Sequence, residues 1–172
     1  MISWLSKLFG WVSGRSRQPR LACETRIWSA GVEELRRRTL GGRRESGAFL
    51  LGRDEGGTKR ILEFVYYDDI DPNALKSGIV HFAGAKLPKL WAICRARGFG
   101  VVADVHVHPG GYQQSASDQA DPVIPRAGHL AIILPHFACR ETGPGGIGLY
   151  EYCGNGSWLI HTSQGRAFFT LD

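Results

Sequence analysis

The sequence has few cysteines, and none of them has a partner at a spacing that commonly binds metal. Its 172 residues include four, at Cys23, Cys94, Cys139 and Cys153, with no CxxC pair and no regular interval. This distribution argues against a disulfide framework and against a structural zinc site built from thiolates. It predicts reduced thiols in a cytoplasmic protein. A chain of this length can bury a full core without such links, so a bound metal is expected to serve chemistry rather than folding.

Long apolar runs are also missing. The apolar stretch at residues 1–12 is too short to span a bilayer, and it lacks the charged start and cleavage site of a signal peptide. Leu5, Leu8, Phe9 and Val12 recur at helical spacing and predict an amphipathic helix. That helix would pack on the domain or on a partner protein, or lie at a membrane surface. The predicted organisation is therefore a helix and basic linker over residues 1–20, followed by one compact domain over residues 21–172.

The charge balance is basic, but the features of a nucleic-acid reader are absent. The formal net charge is +5, and much of the excess comes from arginines in the first quarter of the chain. No groove-reading motif and no aromatic stacking pattern accompanies these arginines, so nucleic acid is not expected as a partner. The arginines are interpreted as a solvated basic face or as a surface for an acidic partner.

What remains is a pattern of short strands joined mostly by hairpin-like connections. Helices are predicted at 29–40, with Ser29 as N-cap, and at 86–98, with Gly98 at the C-cap. Strands are predicted at 24–28, 46–52, 60–67, 100–107, 129–135, 146–153, 157–162 and 166–171. Because strands outnumber helices and mostly turn back on themselves, the sequence predicts an α+β fold with a strongly curved mixed sheet flanked by helices.

Two histidines lie at the end of the strand over residues 100–107. His106 and His108 are two residues apart, and in a strand such side chains point to the same face, while Val105 and Val107 face the core. Two imidazoles held that close are suitable zinc ligands. Asp104 shares their face and is interpreted either as a partner for an imidazole N–H or as an ordinary polar residue on an exposed face.

The loop after the histidines carries further polar groups. A Pro-Gly-Gly turn allows the chain to fold back over the strand end, so Asp118 could supply a third metal ligand and leave the fourth position to water. The hydroxyl of Ser115 could donate to an oxyanion, or it could simply cap the loop. This arrangement predicts a catalytic rather than a structural metal site, and the base that it needs must come from another segment.

These residues resemble the JAMM motif of the JAB/MPN metalloprotease family: a glutamate, then H-x-H, then S-x-x-D. His106 and His108 match the pair, and Ser115 and Asp118 match the second part. The family expects the glutamate just before a short apolar strand that ends in glycine, and the stretch ESGAFLLG, residues 45–52, has this form. The resemblance therefore implies that Glu45 is the catalytic base. One departure is visible, because six residues separate His108 from Ser115 where seven are commoner in the family.

The resemblance also implies an activity. Active members of the family hydrolyse the peptide or isopeptide bond after the C-terminal tail of ubiquitin or a ubiquitin-like protein. The expectation here is one Zn²⁺ ion per chain, held by His106, His108 and Asp118, with Glu45 and Ser115 as catalytic residues. The compact length and the lack of large insertions favour a bacterial ubiquitin-like substrate. Two alternatives stay open: a non-catalytic scaffold, and a zinc peptidase that acts on a sulfur-carrier protein.

Overall fold

A computed structural model of the protein describes residues 18–172. The predicted helix over 1–12 and most of the predicted linker lie outside the described residues. The strands are β1 Leu21–Cys23, β2 Gly47–Glu55, β3 Thr58–Tyr66, β4 Gly100–Val107, β5 Leu130–Leu134, β6 Gly148–Gly154, β7 Ser157–Ile160 and β8 Phe169–Leu171. The α-helices are α1 Thr25–Arg38, α2 Tyr67–Ile70, α3 Leu87–Arg97 and α4 Ala116–Ala120. Among these described residues, no helix has the length and apolar character needed to cross a bilayer.

All eight strands form one mixed sheet in the order β7-β6-β5-β4-β2-β3-β1-β8. Pairing is parallel between β4 and β5 and between β1 and its two neighbours, and antiparallel elsewhere. The sheet is curled, as contacts between its two halves show. The Arg20 guanidinium donates a hydrogen bond to the Glu151 carboxylate at 3.2 Å, and Lys59 Nζ donates to the Gly128 carbonyl at 2.8 Å. The predicted α+β class with a curved mixed sheet flanked by helices is confirmed.

The strand periodicity divides the core into two layers. One face of the sheet carries a large apolar cluster that includes Leu50, Val105 and Ile132 and is covered by α1. The opposite face carries a second cluster around Phe49 and Leu51, against which α3 packs. Side chains that alternate along β2 and β4 therefore enter different layers, and every second residue of β4 points away from α1.

Local sequence explains most of the element boundaries. Gly56 and Gly57 adopt positive φ angles of 65° and 97° in the two-residue turn between β2 and β3, as the predicted hairpin requires. Helix α3 ends at Arg97, and the next residue, Gly98, has a left-handed conformation with φ 66°. Glycine is favoured at this position because it adopts positive φ angles without strain. Both of these turns were predicted from the sequence.

The start of α1 differs from the prediction. Residues 24–28 were predicted as a strand and Ser29 as the N-cap, but the helix begins at Thr25 and the strand is the shorter segment Leu21–Cys23 before it. Ile27 and Trp28 belong to the apolar side of the helix, and Trp28 packs edge-on against Phe169 at 4.8 Å. The β-propensity of these residues misled the prediction because tertiary packing overrides such preferences.

Candidate metal centre

The paired histidines end β4 on the face of the sheet opposite α1. Val105 and Val107 are fully buried in the layer beneath α1, while His106 and His108 point the other way and are 6% and 8% exposed. Their Nε2 atoms lie 2.9 Å apart. The period of two along β4 thus holds both imidazoles side by side on rigid backbone, as predicted.

Asp118 completes the group from the returning loop. Its Oδ1 lies 3.3 Å from Nε2 of His106, and its Oδ2 lies 3.2 Å from Nε2 of His108. One ligand atom from each of the three residues lies within 4.8 Å of the others. Bonds from zinc to histidine nitrogen and carboxylate oxygen are about 2.0–2.2 Å long, so ligand atoms this close to one another can share one ion. This group can hold a metal ion.

Ser115 fixes the carboxylate of Asp118. It caps the short helix α4, where its Oγ accepts from the Asp118 N–H at 3.2 Å and its own N–H donates to Asp118 Oδ2 at 2.6 Å. This reciprocal pair is a capping box. The capping interpretation of Ser115 therefore holds, and the hydroxyl proton of Ser115 is left available for donation to a ligand.

The charges of the group favour cation binding. Burial alone would raise the pKa of Asp118, but hydrogen bonds from His106, His108 and the Ser115 N–H hold it well below its ordinary value of 3.8. Burial alone would lower the pKa of His106, whereas the Asp118 carboxylate raises it above 6.5. The carboxylate thus favours the protonated form of the His106 imidazole, and a metal ion competes with that proton.

Glu45 reaches the same place from the segment just before β2. Gly47 pairs with His106, and the Val107 N–H donates to the Ser46 carbonyl at 2.9 Å. Continuing this register places Glu45 opposite His108, and directly opposed residues share a face of the sheet. Ser46 points the other way, where its hydroxyl bonds the carbonyl of Leu35 in α1 at 2.7 Å.

A cavity of about 290 Å³ brings together Glu45, His108, Ser115 and Asp118. His106 lines an adjoining cavity of about 540 Å³, and the two cavities share Asp118. The Glu45 carboxylate accepts a hydrogen bond from the Val80 N–H at 3.0 Å, which holds it at the cavity wall. Four of the five residues predicted from the sequence therefore line one cavity, and the fifth, His106, lines the adjoining one, although the five come from three separate segments.

A buried polar network behind the histidines was not predicted. Asp104 accepts from the Tyr67 hydroxyl at 3.0 Å and pairs with Nε2 of His129 at 2.6 Å. It makes no hydrogen bond to either imidazole of the metal group and is only 3% exposed, so both earlier interpretations of Asp104 were wrong. Burial and the Asp104 carboxylate raise the pKa of Tyr67 well above its ordinary value of 10, which keeps this hydroxyl a hydrogen-bond donor.

The turn after the histidines is braced by three residues with unusual backbone angles. His136, Phe137 and Ala138 all have φ between 53° and 57°. Their N–H groups hold the loop, because that of His136 donates to the Gly110 carbonyl and that of Phe137 donates to the His108 carbonyl, both at 2.8 Å. A left-handed non-glycine residue costs about 1–2 kcal/mol, so this strain is stored beside the candidate site.

Solved structures resemble this chain in fold. No protein-family model matches the sequence. The solution structure of protein DSY2949 from Desulfitobacterium hafniense is similar at a TM-score of 0.61 and 15% identity, over 88% of this chain and 92% of that chain. A protein from Salinibacter ruber is similar at a TM-score of 0.53 and 16% identity, over 81% of this chain and 87% of that chain. At such identities the likeness shows a common fold alone.

Gly47 is the position where packing against Tyr67 leaves no room for a side chain. A Cβ added there would lie 2.4 Å from Cε2 of the fully buried Tyr67 ring. We expect Gly47→Ala to lower the free energy of unfolding by about 1–3 kcal/mol, since overpacked cores must shift. Urea denaturation measures this effect. Gly100→Ala, at a position with no atom within 4 Å, is the matched control, and equal stability of both variants would contradict the prediction.

Proposed function

We propose that the protein is a zinc-dependent peptidase of the JAMM type, which hydrolyses the peptide or isopeptide bond after the C-terminal tail of a ubiquitin-like protein. One observation carries the proposal. The ligand group of His106, His108 and Asp118 adjoins a carboxylate, Glu45, that comes from the segment just before β2 and lines the same cavity as His108 and Asp118. A structural metal site does not need a neighbouring carboxylate, whereas hydrolysis of an amide needs a group that accepts the proton of water and donates it to the leaving amine.

The roles follow from the position of each group. His106, His108 and Asp118 would hold the zinc ion, which when bound polarises a carbonyl group and activates water as a nucleophile. Glu45 accepts the proton of the attacking water on its carboxylate and returns that proton to the nitrogen of the leaving amine. The Ser115 hydroxyl donates to the oxygen that becomes negative as the carbonyl is attacked. Since water is the nucleophile, no covalent acyl-enzyme forms.

The groove suits an extended chain with small residues at the scissile bond. The cavity beside Glu45 is lined by Gly110 and Gly111 and holds about 290 Å³, and the adjoining one holds about 540 Å³. A chain that crosses both passes over Asp118, which the two cavities share. The glycines in the wall beside Glu45 leave room there for the backbone of such a chain, which supports the proposed class of substrate.

The function is tested by metal analysis together with cleavage. We expect the purified full-length protein to bind one zinc ion per chain and to cut at least one member of a panel of ubiquitin-like precursors and conjugates after the tail. A chelator should abolish cleavage, and added Zn²⁺ should restore it. A non-catalytic scaffold would hold no stoichiometric zinc. Stoichiometric zinc with no member of the panel cut, sulfur-carrier proteins included, would contradict the proposed activity.

A further inference from the structure

An exposed surface that is both basic and apolar lies beside the candidate metal centre. Leu40 and Ile79 are 50% and 53% exposed. The exposed residues Arg43 and Lys76 line one depression with Leu40 and with Gly78, the residue before Ile79. Leu40, Arg43, Lys76 and Ile79 are called the platform below. The depression, of about 430 Å³, has the buried side chain of Leu75 at its floor and no acidic residue in its lining.

The positive charges of the platform have no acidic partner within residues 18–172. The Arg43 guanidinium donates to the Leu40 carbonyl at 2.9 Å, and neither Arg43 nor Lys76 enters a salt bridge there. The next residue differs, because Arg44 lies 3.6 Å from the Asp68 carboxylate. Unpaired charges of one sign around exposed apolar side chains complement a surface that is acidic and apolar.

The backbone at Leu40 gives a second, independent indication. Leu40 follows the C-cap of α1 with φ 55°, at the position where helices favour glycine because other residues are strained. Half of its side chain nevertheless remains in solvent. A residue that breaks a local preference without filling the core is expected at a functional surface.

The platform is joined directly to the candidate site. The Glu45 N–H donates to the carbonyl of Gly78 at 2.8 Å, so the segment that precedes Ile79 is hydrogen-bonded to the residue after Arg44. Ile79 itself lines the cavity that contains Glu45. A protein segment that leaves this cavity on the side of Ile79 can therefore reach the platform.

We propose that the platform binds an acidic, apolar segment of the protein substrate close to the bond that is cut. This inference rests on the proposed function, and it adds the chemistry by which the substrate is recognised. Carboxylates of the segment pair with Arg43 and Lys76, while apolar side chains cover Leu40 and Ile79.

Binding of designed peptides tests the platform without need of cleavage. The probes are fluorescent peptides with a central Gly-Gly, flanked on one side or the other by a block of Asp, Glu and Leu, and matched peptides with Asn and Gln in place of Asp and Glu. Fluorescence anisotropy is measured with full-length Glu45→Gln protein, so that the probes stay intact. We expect the acidic block on one of the two sides to bind about tenfold more tightly than its neutral match, or better.

Variants locate the binding surface. Arg43→Glu with Lys76→Glu should weaken binding of the acidic peptide by about tenfold or more. Leu40→Gly should weaken it several-fold without loss of folded protein, because glycine relieves the strained φ angle. Arg166→Glu and Leu159→Ser are the matched controls: Arg166 is exposed and Leu159 is 52% exposed, both outside the platform. Both controls should bind as the parent protein does.

The outcomes separate this inference from the proposed function. If the acidic peptide binds with these losses in the variants, but zinc-loaded wild-type protein cuts no member of the ubiquitin-like panel, the platform stays in place and the peptidase is removed. If acidic and neutral peptides are cut with the same KM, the platform does not recognise acidic segments, and the proposed peptidase activity still stands. An equal loss of affinity for the acidic peptide in the control variants would also overturn the inference. So would preferential binding of a single-stranded RNA to the platform.

Discussion

Glu45→Gln should abolish most of the activity and leave the metal in place. A positioned general base contributes about 10²–10⁴-fold to a reaction of this kind, so we expect kcat to fall by that factor. Glutamine keeps the shape of the side chain, and its carbonyl oxygen can still accept the hydrogen bond that the Val80 N–H now donates to Glu45. The loss should therefore reflect the missing proton acceptor and not a displaced loop.

Two measurements make this result specific. Zinc content should match that of the wild type, because the ligand group consists of His106, His108 and Asp118 and does not include Glu45. Glu63→Gln is the control, since Glu63 is a partly exposed carboxylate that pairs with Arg97 at 3.3 Å on β3, and it should keep full activity. Equal kcat in the Glu45→Gln and wild-type proteins would remove Glu45 from the mechanism.

The fold was predictable where periodicity and turn residues agree. The β2–β3 hairpin has apolar, strand-forming segments on both sides of Gly56 and Gly57, so the strand signal and the turn residues point to the same structure. The start of α1 was not predictable in this way, because Ile27 and Trp28 favour strands and only their packing against the sheet makes them helical. Short helix α4 was missed for a related reason: one turn has too little sequence for a helical period to appear.

The candidate site was predictable as a set of residues but not as a geometry. Strand periodicity alone places His106 and His108 on one face. The approach of Asp118 depends on a loop that is held by the left-handed residues from His136 to Ala138, and among these only His136 is of a type that is enriched at positive φ angles. The burial of Asp104 was likewise hidden, since its partners Tyr67 and His129 lie 37 and 25 residues away in sequence.

Asp118→Asn should remove the metal while the loop keeps its fold. The amide oxygen of asparagine can still accept from the Ser115 N–H, so the cap of α4 is retained. The anionic ligand is lost, and we expect zinc affinity to fall by about 100-fold or more, because even the outer partners of metal ligands contribute 10–100-fold. Competition with a chelating dye measures the affinity, and Asp121→Asn, at an exposed carboxylate just beyond α4, is the control.

The dependence of zinc affinity on pH should change with the same substitution. In the wild type, a metal must displace the proton that Asp118 holds on His106, whose pKa is raised above 6.5; affinity should fall about tenfold per pH unit below that raised pKa. Without the carboxylate, burial dominates and lowers the pKa of His106, so the fall should begin at a lower pH. An unchanged midpoint in the Asp118→Asn protein would show that this pair does not control metal binding.

Mild acid, which weakens zinc binding, should strengthen the contribution of the His106–Asp118 pair to the stability of the metal-free protein. Stabilisation from the raised pKa of His106 is fully present below pH 6.5 and is lost as pH rises through the raised value. Stabilisation from the lowered pKa of Asp118 is present above pH 3.8 and is lost as pH falls. Both describe one interaction, so the difference in melting temperature between chelated wild type and chelated Asp118→Asn should be largest between pH 3.8 and 6.5. Acid therefore favours the ion pair of protonated His106 with Asp118 over the metal-bound form. A difference in melting temperature that grows above neutral pH would contradict this coupling.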